Sequence, residues 1–120
     1  MERVLGIGGL FLRAGNPDAL REWYRTQLGI PVAEWGGNVF ENDAGDATVW
    51  SIFSGDTEYW PAEQQAMVNY RVADLDAILA QLRDAGVEVD ERIEEQEFGR
   101  FGWATHPEGN RFELWQPVRS

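Results

Sequence analysis

The feature that most constrains the fold of this chain is an internal repeat. An apolar strand, a capped helix and a glycine-led extended segment occur in that order twice. Arg13 and Arg71 lie 58 positions apart, and Gly29 and Gly86 lie 57 positions apart, so the copies align with one residue of difference in the helix region. Sequence self-similarity of this kind indicates repeated supersecondary units. We therefore expect two copies of one structural module.

The first copy predicts a strand over Gly9–Arg13 and a helix directly after it. Asn16 is a helix-capping residue, Pro17 suits a first helical turn, and Asp18 favours the positive end of the helix dipole. Gly29 then ends the helix. The apolar stripe that we expect to face the core recurs at helical spacing and comprises Leu20, Trp23, Tyr24 and Leu28.

The second copy repeats this plan with different residues. A strand over Met67–Val72 leads to Asp74, which is a capping residue, and Gly86 ends the helix that follows. The apolar stripe of this helix comprises Leu75, Ile78, Leu79 and Leu82. Both helices are therefore predicted to be amphipathic.

Segments with strand and turn character follow each helix, so each half reads β-α-β-β-β. These segments are Val32–Glu34, Asn38–Asn42 and Thr48–Phe53 in the first copy, and Val87–Ile93, Gly99–Thr105 and Arg111–Trp115 in the second. The predicted fold class is α+β, with a first module over residues 1–55, a polar connector over 56–65 and a second module over 66–120. A short helix over Thr57–Gln65 is one interpretation of the connector.

Composition limits the function classes. A chain of 120 residues suffices for one core, and no run of residues approaches the roughly 20 apolar positions that a membrane span needs. A formal net charge of -11 disfavours nucleic acid and anionic membrane surfaces as partners. The chain has no cysteine, which excludes disulfides and thiolate metal sites. We expect a cytoplasmic protein.

Alternation along the strands separates two faces, because side chains two positions apart point the same way. Leu10 and Leu12 belong to the apolar face that a helix should cover. The opposite face is mixed polar and aromatic, and we expect it to line a concave surface that binds a small molecule. Its candidate ligand-binding residues are Phe11, Arg13, Ser51, Phe53, Asn69, Arg71, Glu113 and Trp115.

The C-terminal run from Gly99 to Pro117, GRFGWATHPEGNRFELWQP, carries the most specific motif of the chain. It resembles the ending D-P-E-G-N-x-x-E-L-W-x-P of the vicinal oxygen chelate superfamily, which includes glyoxalases, bleomycin-resistance proteins and extradiol dioxygenases. His106 stands where that motif has Asp, at a position that serves the turn. The resemblance covers nearly the whole chain and implies that the two βαβββ modules form a fold of this superfamily. It also implies a homodimer.

Enzymes of this superfamily hold a divalent metal with His or Glu side chains at four strand positions. The resemblance places these positions at Gly9, Ser51, Met67 and Glu113. Glycine and methionine supply no hard-metal ligand, and one carboxylate does not hold a catalytic metal with useful affinity. We therefore expect no metal and no cofactor.

Several residues have a second interpretation. Glu113 either contacts a ligand or pairs with Arg71 or Arg111 on its own face, because a buried acid needs a partner. His106 is interpreted as a surface turn residue, and Trp23 as a core residue. Arg13 and Arg71 either clamp an anionic ligand or form ion pairs within the chain.

The leading hypothesis is a metal-independent protein that binds an unidentified small molecule. A second hypothesis is a drug-sequestering protein of the bleomycin-resistance kind, in which acidic charge and aromatic walls suit a cationic, planar molecule. A third is an enzyme, either a lyase, an isomerase or a dioxygenase, that uses a displaced metal or Glu113 as a general base. Whether the protein is an enzyme stays open at this point.

Overall fold

The computed structural model describes residues 1–41 and 46–118, without the side chains of residues 27 and 28. These residues contain two helices and eight strands. The helices are α1 (Pro17–Leu28) and α2 (Leu75–Asp84). The strands are β1 (Val4–Ala14), β2 (Gly37–Glu41), β3 (Ala47–Ser54), β4 (Ala66–Val72), β5 (Glu88–Val89), β6 (Glu94–Gln96), β7 (Gly99–Thr105) and β8 (Arg111–Pro117).

The chain divides into two compact units. We call Gly9–Met67 the N-terminal unit, and Met1–Gly8 together with Val68–Ser120 the C-terminal unit. Strand β1 therefore begins in the C-terminal unit and ends in the N-terminal unit. Each unit contains one helix and its own run of hydrogen-bonded strands, which confirms the predicted α+β class.

In the N-terminal unit, β3 lies between β2 and β1, antiparallel to β2 and parallel to β1. Asn16 caps α1 by accepting a hydrogen bond from the backbone N–H of Ala19, and Gly29 ends it in the left-handed conformation at φ 68°. These predicted boundaries are confirmed. The core under the helix comprises Ala14, Trp50 and Ile52, with Leu12, Leu20 and Tyr24 packed against it.

Two predictions need correction, one about the apolar stripe of α1 and one about the apolar face of β1. Trp23 is 50% exposed, because Tyr24 occupies the position over the core ring of Trp50, at a centroid distance of 4.9 Å. Leu10 is also exposed rather than covered. The predicted stripe residue Leu28 has a side chain outside the described part of the chain.

The segment predicted as a strand over Val32–Glu34 is irregular and leads into a turn. The backbone N–H of Ala33 donates to the carbonyl of Gly37, and that of Gly36 donates back to Ala33. These bonds commit the backbone to a reversal, so among the described residues of the first module two strands rather than three follow α1. The end of the next predicted strand, Asn42, lies outside the described residues.

In the C-terminal unit, the strand order is β4-β8-β7-β5, and β6 also pairs with β7. Strands β4 and β8 are parallel, and β7 and β8 form an antiparallel hairpin. Asp74 caps α2 by accepting from the N–H of Ala77, as its sequence position predicted. The core under α2 comprises Val72, Leu75, Ile78, Leu79 and Leu114, with Leu82 packed against it.

The predicted strand over Val87–Ile93 is shorter in the structure, where only Glu88–Val89 pairs with β7. A further short strand, Glu94–Gln96, pairs with the same neighbour and had no distinct signal in the sequence. Neither α1 nor α2, which are the helices of the described residues, has the length and apolar character of a membrane-spanning helix.

Candidate functional site

A row of three polar or amphipathic side chains crosses the central strands of the C-terminal unit. The register places Asn69 of β4 opposite Glu113 of β8, and Glu113 opposite Trp103 of β7. Asn69 Nδ2 donates to Glu113 Oε1 at 2.6 Å, and Trp103 Nε1 donates to Glu113 Oε2 at 2.9 Å. Each carboxylate oxygen therefore receives an N–H donor.

These three side chains are almost completely buried, with exposed fractions of 2% for Asn69, 1% for Glu113 and 0% for Trp103. The neighbouring residue on β8, Leu114, belongs to the core under α2. Because side chains alternate along a strand, Glu113 lies on the sheet face opposite the helix. A carboxylate at such a place is costly unless it is hydrogen-bonded, which explains the two donors.

Two guanidinium groups lie against the indole ring of Trp103. The Cζ atoms of Arg92 and Arg111 are 4.9 Å and 5.3 Å from the ring centroid. Such cation–π contacts orient the ring, since the indole face carries negative electrostatic potential. Positive charge thus adjoins the ring whose N–H binds Glu113.

Asp90 ties this arrangement to the segment between β5 and β6. Its carboxylate accepts from the backbone N–H of Arg92 at 2.9 Å and from Arg111 Nη2 at 3.1 Å. The hydrogen bond from the Arg92 backbone, followed by the hydrogen bond from Arg111, lowers the pKa of Asp90 below its usual value. The backbone N–H of Asp90 also donates to the carbonyl of Trp103 at 2.9 Å.

The amide oxygen of Asn69 is buried and has no hydrogen-bond partner among the described residues. It lies against strand β1, where a Cβ built on Gly8 would be 2.2 Å from Asn69 Oδ1 and 2.8 Å from Trp115 Cε3. Only a residue without a side chain fits there. Gly8 therefore allows the backbone of β1 to approach both side chains.

The next row on the same face comprises Arg71, Trp115 and Phe101, which are paired across β4, β8 and β7. The rings of Phe101 and Trp115 are parallel, with centroids 6.1 Å apart. Trp115 Nε1 donates to the carbonyl of Phe98, and Arg71 Nη1 donates to the carbonyl of Ile7. All three side chains of this row are partly exposed.

The eight residues predicted to bind a ligand divide equally between the units. In the C-terminal unit, Asn69 and Glu113 are bonded to each other, and Arg71 and Trp115 are neighbours in the adjacent row. In the N-terminal unit, Phe11 lies opposite Ser51 and Arg13 lies opposite Phe53. Phe11 and Ser51 are buried, and the rings of Phe11 and Phe53 contact each other at 5.3 Å.

Arg13 organises the connector of the N-terminal unit. Its guanidinium donates to the carbonyl oxygens of Gly55, Thr57, Gln64, Trp60 and Pro61. This set of bonds holds the described connector in a non-helical path, so the short helix predicted over Thr57–Gln65 does not form. The guanidinium also lies 5.2 Å from the ring of Trp60.

The four positions at which the resemblance predicts metal ligands are Gly9, Ser51, Met67 and Glu113. Gly9 and Met67 have no hard donor atom, and both oxygens of Glu113 already accept N–H hydrogen bonds. Within the described ranges, no group of three His, Cys, Asp or Glu side chains is close enough to share a metal. His106 lies in the turn between β7 and β8, where its Nδ1 accepts from the backbone N–H of Glu108.

Sequence reasoning missed the contact between Trp103 and Glu113. A usable signal was present, because the turn run His106–Asn110 centres the hairpin on Glu108 and so pairs position 103 with position 113. The contacts of Asp90 with Arg111 and of Arg92 with Trp103 had no comparable sequence signal. They depend on the path of the irregular segment between β5 and β6.

Comparison with known proteins identifies a family and a fold. The family model of the glyoxalase-like domain matches residues 9–115. Comparison with curated protein sequences gives no match.

Among solved structures, Streptomyces coelicolor methylmalonyl-CoA epimerase in complex with 2-nitronate-propionyl-CoA is similar, with a TM-score of 0.72 and 21% identity over 98% of this chain and 100% of that chain. The Mycobacterium tuberculosis methylmalonyl-CoA epimerase has a TM-score of 0.69 and 22% identity over 97% of this chain and 90% of that chain. A structure described as NAD-dependent benzaldehyde dehydrogenase from Legionella pneumophila has a TM-score of 0.63 and 16% identity over 92% and 98% of the two chains.

At these identities the structural likeness establishes the fold alone. The family match spans nearly the whole chain and agrees with the motif at its C-terminal end. The chain therefore belongs to the glyoxalase-like domain family of the vicinal oxygen chelate superfamily.

Proposed function

We propose that this protein binds a small molecule, without a metal ion, on the face of the C-terminal unit that carries Asn69, Arg71, Glu113 and Trp115. The proposal is confined to this unit. In the N-terminal unit, the rings of Phe11 and Phe53 pack against each other, and Arg13 donates to five backbone carbonyls.

The observation that carries the proposal is the amide of Asn69. Its nitrogen donates to Glu113, whereas its oxygen is buried without a hydrogen-bond partner among the described residues. Buried polar atoms in folded proteins are nearly always paired, and an unpaired one calls for a functional explanation. A ligand N–H or O–H group that reaches this oxygen would supply the missing donor.

The energetics of the row support the same proposal. A buried carboxylate and amide contribute less to folding than apolar residues of similar volume at the same places. Proteins retain such locally unfavourable choices mainly at functional sites. A polar row on the face opposite α2 is therefore more easily explained by binding than by folding.

Metal independence is supported by the donor set. Two of the four superfamily positions hold Gly9 and Met67, and the remaining carboxylate is bonded to Asn69 and Trp103. A metal at Glu113 would find no second carboxylate or imidazole at the corresponding positions.

Proton transfer by Glu113 is the second candidate function. The solved structures of the same fold include methylmalonyl-CoA epimerases, and Glu113 is a carboxylate held on the sheet face by two N–H donors. A carboxylate oxygen has two lone pairs, so an oxygen that accepts one N–H can still accept a proton from a substrate. Turnover lost in Glu113→Gln, with binding retained, would favour this candidate over binding alone.

A nuclear magnetic resonance titration tests the leading proposal. Backbone amide signals are followed while small aromatic and aliphatic carboxylates, amines and alcohols are added to EDTA-treated protein. We expect at least one class to shift the signals of Asn69, Arg71, Glu113 and Trp115, and the Glu113→Leu variant to lose that response while its circular dichroism stays native. Shifts that occur only after addition of Zn²⁺, Ni²⁺ or Mn²⁺ would contradict metal independence. If none of the added compounds shifts these signals, the binding proposal is contradicted.

We also propose that the protein is cytoplasmic and forms a homodimer. The absence of cysteine suits a reducing compartment. The outer strand of the N-terminal unit, β2, carries exposed Val39 and Phe40, and an exposed apolar edge strand favours association. Cell fractionation tests the location, and the assembly is tested below.

A further inference from the structure

The polar row of the proposed site has almost no surface that a ligand can touch, because Asn69, Glu113 and Trp103 are 2%, 1% and 0% exposed. A ligand that binds there has to displace a group that covers the row. We infer that this group is the side chain of Arg92, whose guanidinium covers the indole of Trp103 and moves aside when a ligand binds. The inference rests on the proposed function and adds a residue that controls access to its site.

Arg92 reaches Trp103 because the edge of the sheet bulges beside this residue. Strand β5 pairs with β7 as far as Ala104, and β6 resumes the pairing at Phe101. The four residues 90–93 therefore lie beside only two residues of β7, one of which is Trp103. Bulges are frequent next to functional sites, where they redirect a side chain.

Both strand registers bring a residue of the bulge to Trp103. Continued from β5, the register places Asp90 opposite Trp103, and the backbone N–H of Asp90 donates to the Trp103 carbonyl at 2.9 Å. Continued from β6, the register places Arg92 opposite the same residue, and Arg92 Cζ lies 4.9 Å from the indole centroid. The bulge is thus fixed by its backbone at Asp90 and sets the Arg92 side chain on the ring.

Arg92 differs from Arg111, the second arginine on this ring, in what holds it. Arg111 belongs to β8, its side chain is 20% exposed, and its Nη2 donates to Asp90 at 3.1 Å. Arg92 belongs to no strand, and it is an exposed residue although the indole that it contacts is completely buried. Arg92 is therefore the cover that can leave while the strands stay paired.

Negative charge near the ring favours a guanidinium at this place. The hydrogen bond from the Arg92 backbone lowers the pKa of Asp90 most, and the positive charge of the Arg92 side chain also lowers this pKa. Glu88 and Glu94 flank the bulge and lie opposite residues that share the sheet face of Trp103. A planar cation is attracted both by these carboxylates and by the indole face, but such contacts are weak at exposed sites. The cover is therefore favoured in the free protein and easily displaced.

The first experiment measures how well solvent reaches Trp103. Nuclear magnetic resonance resolves indole N–H signals, and the Trp103 signal is followed by hydrogen exchange and by its relaxation with TEMPOL, a small neutral nitroxide. We expect Arg92→Ala to raise the exchange rate about tenfold and to increase the relaxation by TEMPOL. Arg92→Lys should give intermediate values, because a charged group on an aliphatic stem still covers the ring.

Arg83→Ala is the matched control. Arg83 Nη2 donates to the backbone carbonyl of Asp90 at 3.3 Å, so this variant removes a guanidinium that holds the bulge rather than the one on the ring. Its Trp103 signal should behave as in the wild type. The backbone N–H of Leu79, in the core under α2, reports global unfolding, whereas relaxation by TEMPOL reports the folded protein.

The second experiment connects the cover to binding and repeats the titration with carboxylates, amines and alcohols on Arg92→Ala. The concentration that half-saturates the shifts of Asn69 and Glu113 should fall about three- to tenfold for a compound that binds the wild type, since no binding energy is spent on displacing the guanidinium. Weaker binding to Arg92→Ala would overturn the inference, because Arg92 would then contact the ligand rather than exclude it.

The remaining outcomes separate this inference from the proposed function. Unchanged exchange and relaxation of the Trp103 signal in Arg92→Ala would overturn the inference, and so would an equal increase in Arg83→Ala. Faster exchange that Leu79 shares, without added relaxation by TEMPOL, would reflect unfolding and would overturn it as well. If compounds bind alike to the wild type and to Arg92→Ala, the proposed function stands and the inference alone fails. If no compound shifts Asn69 and Glu113 in either protein, both fail.

Discussion

The indole N–H of Trp103 donates a hydrogen bond of 2.9 Å to Oε2 of Glu113, and the two residues lie directly opposite each other in the β7–β8 hairpin. Both side chains are almost completely buried. This bond supplies one of the donors that make a buried carboxylate tolerable, so its removal should be costly.

Trp103→Phe should lower the free energy of unfolding by about 2 to 4 kcal/mol. The variant keeps an aromatic ring but leaves Glu113 Oε2 without this donor, and it reduces the buried volume. Denaturant unfolding measures the change. Trp35→Phe is the matched control, because Trp35 is exposed and its loss should change stability by about 0.5 kcal/mol or less. Equal effects of the two substitutions would contradict the assigned role of Trp103.

Gly8→Ala should destabilise the polar row by about 1 to 3 kcal/mol. The added methyl group would lie 2.2 Å from Asn69 Oδ1, so the amide must move away from Glu113. Gly15→Ala is the control, since a Cβ at Gly15 meets no described atom within 4 Å. Thermal unfolding should separate the variants clearly. A native melting temperature for Gly8→Ala would show that the backbone of β1 does not hold Asn69 in place.

Leu79→Ala should cost about 2 to 5 kcal/mol of stability, because Leu79 belongs to the buried cluster between α2 and its sheet. Leu5→Ala removes the same atoms from a largely exposed side chain and should have a small effect. Urea unfolding of both variants compares them. An unchanged midpoint for Leu79→Ala would mean that the helix presents another face to the core.

Acid should destabilise the wild-type protein more steeply than Asp90→Asn. The folded-state pKa of Asp90 is lowered below its usual value of 3.8 by the Arg92 backbone N–H and by Arg111, so it stabilises the fold above that value. The contribution is lost as pH falls through the lowered pKa. Near neutral pH, Asp90→Asn should be less stable by about 1 kcal/mol, and the gap should close as the pH falls through the lowered pKa of Asp90.

Unfolding measured from neutral to acidic pH checks the sign of this pH dependence of stability. Asp84→Asn, at an exposed carboxyl on the end of α2, is the control. A gap that stays constant between neutral pH and the acid limit would show that Asp90 titrates alike in the folded and unfolded protein.

Light scattering at micromolar concentration should return about twice the chain mass of 13.6 kDa. Phe40→Glu places a charge on the exposed outer strand β2 and should shift the protein towards the monomer. Because Phe40 is exposed, we expect the variant to fold, and circular dichroism verifies this. A wild-type mass near 13.6 kDa would refute the dimer.

Local sequence signals determined the features that depend on contacts between residues close in sequence. Asn16 and Gly29 bound α1 as expected, Asp74 caps α2, and the turn after His106 sets the register of β7 and β8. Each of these depends on contacts within a few residues. Capping and turn chemistry are therefore sufficient to predict them.

Only the tertiary structure decided which side chains meet across distant segments. Asn69 and Glu113 are 44 positions apart and meet because β4 and β8 are parallel neighbours, a pairing without a local signal. Arg13 was predicted either to clamp an anionic ligand or to form an ion pair, and in the structure carbonyls of a connector more than 40 positions away surround its guanidinium. Sequence patterns predict which face of a strand or helix a side chain lies on. Which distant residues come into contact depends instead on how the segments pack together, and the packing of all segments is determined by the free energy of the whole chain.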